Sequence, residues 1–103
     1  SPQDAAEKFA AGEAVLIDVR EPDETEAARI EGSLLTPLSA LPGALETAAP
    51  TPDKTWIIVC RSGARSGRVC QYLGPTGPGG QPVLNLSGGV LAWAQAGLPL
   101  ISG

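Results

Sequence analysis

A short apolar run that ends at a cysteine constrains the fold of this chain most strongly. Residues 55–59 read Thr-Trp-Ile-Ile-Val, and this β-branched run favours a buried strand. Residues 65–73 have the apolar periodicity of a helix. Cys60 therefore lies in a loop that leads from the end of a strand to the start of a helix.

The loop after Cys60 has the features of an anion-binding turn. Backbone N–H groups at the start of a helix lack intrahelical partners, and the helix dipole places partial positive charge there. Gly63 supplies the conformational freedom that a tight turn of N–H groups needs. The same field lowers the pKa of a thiol, and the thiolate is the reactive form. The pattern predicts that Cys60 is a nucleophile.

The distribution of charge points to the same loop. The chain has 11 carboxylates against 7 cationic side chains and a formal net charge of -4. Three of those seven cations, Arg61, Arg65 and Arg68, lie within eight residues of Cys60. Planar guanidinium groups suit the recognition of small oxyanions. The alternative is a buried, inert cysteine followed by solvated arginines.

Residues that the chain lacks exclude several kinds of site. There is no histidine, which excludes Cys–His and Ser–His hydrolases within the chain. The two cysteines are ten positions apart and do not make a zinc site, so we predict no metal and no cofactor. Residues 74–80 lack the Lys-Ser or Lys-Thr that a nucleotide-binding loop requires. Cys70 is expected to fill the core, and a role as a resolving thiol stays open.

The order of elements predicts one α/β domain over residues 1–103. Strands that alternate with helices imply parallel pairing through right-handed crossovers. One strand is predicted to end near residue 18, and the other strands cover 34–35, 55–59 and 82–86. The predicted helices cover 2–11, 22–29, 39–45, 65–73 and 89–95. Pro-rich loops are predicted at 48–53 and 74–82.

Two charged residues near the end of an earlier strand are further candidates. Ligands bind at the carboxyl ends of parallel strands, and Cys60 lies at such an end. Asp18 and Arg20 occupy alternate positions, so we expect both on one side of the sheet near the same edge. Our hypothesis is that Asp18 orients an arginine or the loop backbone, and a purely structural ion pair is an equal alternative.

Four ordered motifs resemble the rhodanese-like sulfurtransferase family over nearly the whole chain. Residues 15–22 look like the family's early strand, and residues 29–33 resemble its short turn segment. Residues 60–66 resemble the active loop, and residues 85–93 resemble the late strand and final helix. The family usually has a short strand before the first helix, so we expect that residue 1 is not the native start.

The resemblance implies a rhodanese-like fold, with a small central parallel sheet of four to five strands and helices on both faces. It also implies that Cys60 takes a sulfane sulfur from a donor such as thiosulfate and forms a persulfide. The sulfur then passes to cyanide, a thiol or a protein acceptor. The implied active loop contains Arg61, Ser62, Gly63, Ala64, Arg65 and Ser66. Arg61 and Arg65 would hold the oxyanion, and spacing does not tell which of them faces inward.

The length of the loop separates this interpretation from related chemistry. Cysteine-based phosphatases and the phosphatase-like rhodaneses place an arginine six positions after the cysteine, where this chain has Ser66. Arg65 is at the fifth position, so the loop should fit a single sulfur atom better than a tetrahedral phosphate. Phosphatase or arsenate reductase activity and a non-catalytic binding or regulatory module are the alternatives.

The expected partners are a small sulfur donor and a thiophilic acceptor, which includes a protein acceptor. The acidic balance argues against nucleic acid, and no apolar stretch approaches the length of a membrane span. A free catalytic thiol favours the cytoplasm, and export to the periplasm stays open.

Overall fold

Eight helices and strands make up the described part of the fold. The computed structural model describes residues 2–37, 54–76 and 82–102. In chain order the elements are α1 (Pro2–Ala10), β1 (Ala14–Asp18), α2 (Pro22–Ala27), β2 (Leu34–Leu35), β3 (Thr55–Val59), α3 (Ala64–Leu73), β4 (Val83–Asn85) and α4 (Gly89–Gln95). The sequence-based helix at 39–45 and loop at 48–53 lie outside the described residues, as do residues 77–81 of the loop at 74–82.

The described strands form one parallel sheet in the order β2-β1-β3-β4. Asp18 at the end of β1 is paired with Val59 at the end of β3, so the carboxyl ends of these two strands meet at the same edge. Cys60 follows β3 directly at that edge. The prediction of an α/β fold with a small parallel sheet is confirmed, with four strands in the described residues.

The two faces of the sheet are covered by different helices. Side chains of successive strand residues point to opposite faces, so Trp56 and Ile58 lie on one face and Ile57 and Val59 on the other. Helices α1 and α4 pack with the cluster that contains Ala5, Leu16, Ile57, Val59, Leu86, Val90 and Trp93. Helix α3 packs with the cluster that contains Ile17, Val19, Trp56, Ile58, Cys60, Val69 and Val83. Cys60 is therefore on the α3 face.

Three helix boundaries differ slightly from the sequence-based prediction. Helix α1 ends at Ala10 instead of residue 11. Helix α2 ends at Ala27 instead of Arg29, because Ala28 is extended and the backbone of Arg29 bridges to Ile101. Helix α3 begins at Ala64 instead of residue 65, after a left-handed Gly63 with φ 99°. The predicted freedom of Gly63 is therefore used at the start of the helix.

Helix α4 begins in direct contact with the backbone that follows Cys60. Gly89 has φ 59°, and a Cβ at this position would collide with the carbonyl oxygen of Cys60 and lie 2.5 Å from the carbonyl carbon of Arg61. Only glycine lets the two backbone segments approach this closely. Gly89 thus permits the close approach of α4 to the cysteine loop, our name for residues 60–66.

An ion pair joins α2 to the start of α3. Arg65 donates from Nη1 to Oε1 of Glu24 at 2.6 Å and from Nη2 to Oε2 at 2.7 Å. The same Oε1 also accepts a hydrogen bond from the backbone N–H of Glu21 at 3.2 Å, which completes a capping box on α2. The hydrogen bonds from Arg65 lower the pKa of Glu24 to about 2.

We predict that Gly89→Ala destabilises the protein by about 2–4 kcal/mol, because a left-handed non-glycine residue and a backbone collision both raise the free energy of the folded state. Gly97→Ala is the matched control, since Gly97 has φ 80° but open space around its Cα. The control variant should lose only about 1 kcal/mol in the free energy of unfolding. Urea unfolding of both variants measures the difference, and equal losses would contradict the close approach.

We predict that Glu24→Gln lowers the free energy of unfolding by about 1 kcal/mol at pH 7, because the pair is bidentate but its side chains are 31% and 27% exposed. The pKa of Glu24 is lowered from 4.5, so the stabilisation is complete above 4.5 and disappears as the pH falls toward 2.

The free energies of unfolding of wild type and Glu24→Gln should therefore differ less at pH 3 than at pH 7. Glu26→Gln is the control, because it removes an exposed carboxylate from the same helix. A difference that grows on acidification would contradict the pair.

Candidate active site

The sulfur of Cys60 lies inside the cysteine loop and accepts hydrogen bonds from it. Cys60 is only 1% exposed. The backbone N–H of Gly63 donates to Sγ at 3.0 Å, and the hydroxyl of Ser66 lies 3.3 Å from the same sulfur. Ser66 is fully buried, so this hydroxyl is held in the protein interior. Both groups can stabilise a negative charge on the sulfur.

Helix α4 sets the direction of the peptide groups in the first part of the loop. The N–H of Val90 donates to the carbonyl of Cys60 at 2.9 Å, and the N–H of Leu91 donates to the carbonyl of Arg61 at 3.1 Å. In a trans peptide the C=O and N–H point in opposite directions. The N–H groups of Arg61 and Ser62 therefore point away from α4.

The pKa of Cys60 is below the ordinary value for a thiol. Burial raises this pKa, but hydrogen bonds from the Ser66 hydroxyl and from the backbone N–H groups of Ser66, Gly63 and Ser62 outweigh it. Cys70 shows the opposite behaviour, since burial raises its pKa and no hydrogen bond compensates. Of the two thiols, Cys60 is the one favoured as a thiolate.

The two arginines of the cysteine loop occupy different positions. Arg65 is bound to Glu24 through both terminal nitrogens, which raises the pKa of the guanidinium above its usual value. Arg61 is exposed, and no described residue forms an ion pair with its side chain. Ser62 and Ala64 are also exposed. Of the two arginines in the cysteine loop, Arg61 is the one whose guanidinium is accessible to an anion from solvent.

Asp18 and Arg20 lie together at the same edge of the sheet, and both are buried. Nε of Arg20 donates to Oδ1 of Asp18 at 3.0 Å, and Nη2 donates to Oδ2 at 2.8 Å. The same Nη2 donates to the carbonyl of Ala28 at 2.8 Å, just after α2. Asp18 therefore forms a buried ion pair with Arg20, and in the described residues it makes no hydrogen bond to the cysteine loop. Whether this pair acts on the loop or is purely structural stays a prediction.

Sequence reasoning missed two residues that contact the cysteine loop. One is Glu24, which lies within the helix predicted at 22–29 and binds Arg65. The other is Asn85 at the end of β4, whose Nδ2 donates to the carbonyl of Gly63 at 3.2 Å and whose Oδ1 accepts from Ser66 at 2.5 Å. The available signal for Asn85 was its place near the carboxyl end of the predicted strand at 82–86, because ligands bind at that end of parallel strands.

In the described part of the chain, no three His, Cys, Asp or Glu side chains are grouped so that they could hold a metal ion. No helix of the described segments is long and apolar enough to cross a membrane.

Comparison with known proteins places this arrangement in a family. The family model for the rhodanese-like domain matches residues 1–96. A sulfurtransferase of Allochromatium vinosum is 40% identical over 88 residues, which cover 85% of this chain and 78% of that protein.

Solved structures agree with this match. A rhodanese-related protein of Thermoplasma volcanium superimposes with a TM-score of 0.80 and 25% identity, over 99% of this chain and 95% of that one. A thiosulfate sulfurtransferase of Pseudomonas aeruginosa superimposes with a TM-score of 0.87 and 30% identity, over all of this chain and 20% of that one. The chain belongs to the rhodanese-like domain family, whose members include sulfurtransferases.

Proposed function

We propose that this chain is a sulfurtransferase that carries a sulfane sulfur on Cys60. The observation that carries the proposal is the hydrogen bonding of Sγ by the Gly63 N–H and the Ser66 hydroxyl. These donors stabilise a thiolate without a general base, and the chain has no histidine to act as one.

The proposed reaction has two displacements. The Cys60 thiolate attacks the outer sulfur of thiosulfate, a bond forms between the two sulfur atoms, and sulfite leaves with the electron pair of the broken S–S bond. A nucleophile such as cyanide then attacks the outer sulfur of the persulfide. Thiocyanate forms, and Cys60 returns to the thiolate that Gly63 and Ser66 stabilise. Neither step requires a proton transfer.

The contacts of Arg65 and Glu24 weigh against phosphatase or arsenate reductase activity. Hydrolysis of a phosphate ester needs a proton donor for the leaving group. The carboxyl attached to the loop through Arg65 is Glu24, and with a pKa of about 2 it holds no proton at neutral pH. Arg65 itself is bound to Glu24 and is not free to clasp a tetrahedral oxyanion.

The lowered pKa of Cys60 weighs against a non-catalytic binding module. A cysteine that only fills space gains nothing from hydrogen bonds that favour its charged form, and Cys70 in the same chain has none of them.

The proposed physiological acceptor is a small thiol or a thiol-bearing protein that reaches the outer sulfur of the persulfide.

We predict that the purified protein converts thiosulfate and cyanide to thiocyanate, and that Cys60→Ala abolishes this activity, because the persulfide has no other site. Cys70→Ala is the matched control and should retain most of the activity, since burial disfavours its thiolate. Thiocyanate is measured by its coloured iron complex. Activity that survives in Cys60→Ala, or a folded wild type without any, would overturn the proposal.

We predict that Arg61→Ala raises KM for thiosulfate by about tenfold with a smaller effect on kcat, because one exposed guanidinium contributes about 1.4 kcal/mol to binding a dianion. Arg68→Ala removes another exposed cation from α3 and serves as the control. The values come from initial rates at fixed ionic strength. Equal effects of the two variants would show only a general loss of positive charge.

A further inference from the structure

Asn85 contacts both groups that donate hydrogen bonds to the reactive sulfur. Its Nδ2 donates to the carbonyl of Gly63 at 3.2 Å, and its Oδ1 accepts from the hydroxyl of Ser66 at 2.5 Å. Gly63 and Ser66 are the residues whose N–H and O–H face Sγ of Cys60. A single side-chain amide on β4 therefore links the two halves of the cysteine loop.

We propose that Asn85 is a positioning residue that sets the titration of Cys60 through two opposing contacts: it holds the Gly63 N–H toward the sulfur, and it competes with the sulfur for the proton of Ser66. The role of Asn85 in sulfur transfer rests on the function proposed above. The effect of Asn85 on the titration of Cys60 is independent of that function, because the same two donors contact the sulfur whatever the thiolate attacks.

The orientation of the Asn85 amide follows from its partners. The carbonyl of Gly63 can only accept, so the NH2 group must face it and Oδ1 must face Ser66. The Ser66 hydroxyl has one proton. While Cys60 is a neutral thiol, this proton satisfies Oδ1 of Asn85. When Cys60 becomes a thiolate, rotation about one bond turns this proton to the sulfur, but Oδ1 of Asn85 then loses its donor and faces the lone pairs of Ser66 Oγ. Through Ser66, Asn85 therefore favours the neutral thiol.

The Gly63 contact acts on the second donor. Gly63 adopts φ 99° at the start of α3, and its N–H reaches Sγ only while this turn is kept. A hydrogen bond to its carbonyl from a strand of the central sheet ties the turn to a rigid element. Without Asn85, the Gly63 N–H loses the contact that orients it, which disfavours the thiolate, while the Ser66 proton is released to the sulfur, which favours it.

The location of Asn85 makes the proposal testable without unfolding the protein. The residue is exposed, whereas Ser66 is buried. A purely structural Asn85 would change the free energy of unfolding and leave the titration of Cys60 unchanged. A positioning Asn85 changes the pH dependence of Cys60 reactivity.

The experiment measures the alkylation rate of Cys60 by iodoacetamide against pH in wild type, Asn85→Leu and Asn85→Ala. Trypsin cleaves after Lys54, Arg61 and Arg68, so the two cysteines fall in different peptides and mass spectrometry follows each one. In a Ser66→Ala background, where only the Gly63 contact of Asn85 remains, both substitutions should shift the midpoint for Cys60 upward by about one pH unit, which lowers its thiolate fraction below that midpoint by about tenfold. Gln71→Leu, which removes an exposed amide from α3, is the control and should leave the midpoint unchanged.

A second measurement tests whether Asn85 acts through Ser66. With Ser66 present, Asn85→Leu should raise the midpoint by less than in the Ser66→Ala background, because release of the Ser66 proton to the sulfur opposes the loss at Gly63. Unchanged midpoints of the Asn85 variants in the Ser66→Ala background, or equal shifts with and without Ser66, would overturn the proposal. Because alkylation needs no sulfur transfer, a wild type that forms no thiocyanate would defeat the proposed function and leave the result for Asn85 standing.

Discussion

The rest of the site depends on two backbone hydrogen bonds from the start of α4 to the carbonyls of Cys60 and Arg61. They require the close approach that Gly89 permits, and they turn the following N–H groups away from α4. The Ser62 N–H is one of the groups that favour the thiolate, together with the Gly63 N–H and the Ser66 hydroxyl. Packing of α4 on one face of the sheet thus orients part of the backbone around a sulfur that lies on the other face.

Hydrogen bonding, more than nearby positive charge, favours the thiolate of Cys60. Burial opposes the charged form, and the donors from Ser66, Gly63 and Ser62 outweigh it. Arg65 contributes mainly to structure, because its guanidinium is bound by Glu24 and ties α2 to α3. This leaves Arg61 as the exposed cation of the cysteine loop. The different positions of the two arginines support the proposal that the site binds a small anion and accepts one sulfur atom from it.

The sequence predicted the strand before Cys60, the helix after it and the parallel sheet, because each depends on local periodicity and on the alternation of strands and helices. The same reasoning located the cysteine loop. It did not find the roles of Glu24 and Asn85, since each contact joins residues at least 19 positions apart and leaves no local pattern. It also did not assign Arg65 to Glu24, because spacing alone places a guanidinium near a loop without choosing its partner.

The most direct test of the central claim is a single turnover without an acceptor. The protein is incubated with thiosulfate, digested with trypsin under non-reducing conditions and analysed by mass spectrometry. The account predicts that the peptide of residues 55–61 gains the mass of one sulfur atom and that the peptide beginning at Val69, which contains Cys70, gains none. An unmodified Cys60 peptide from folded protein, or sulfur found on Cys70 instead, would contradict it.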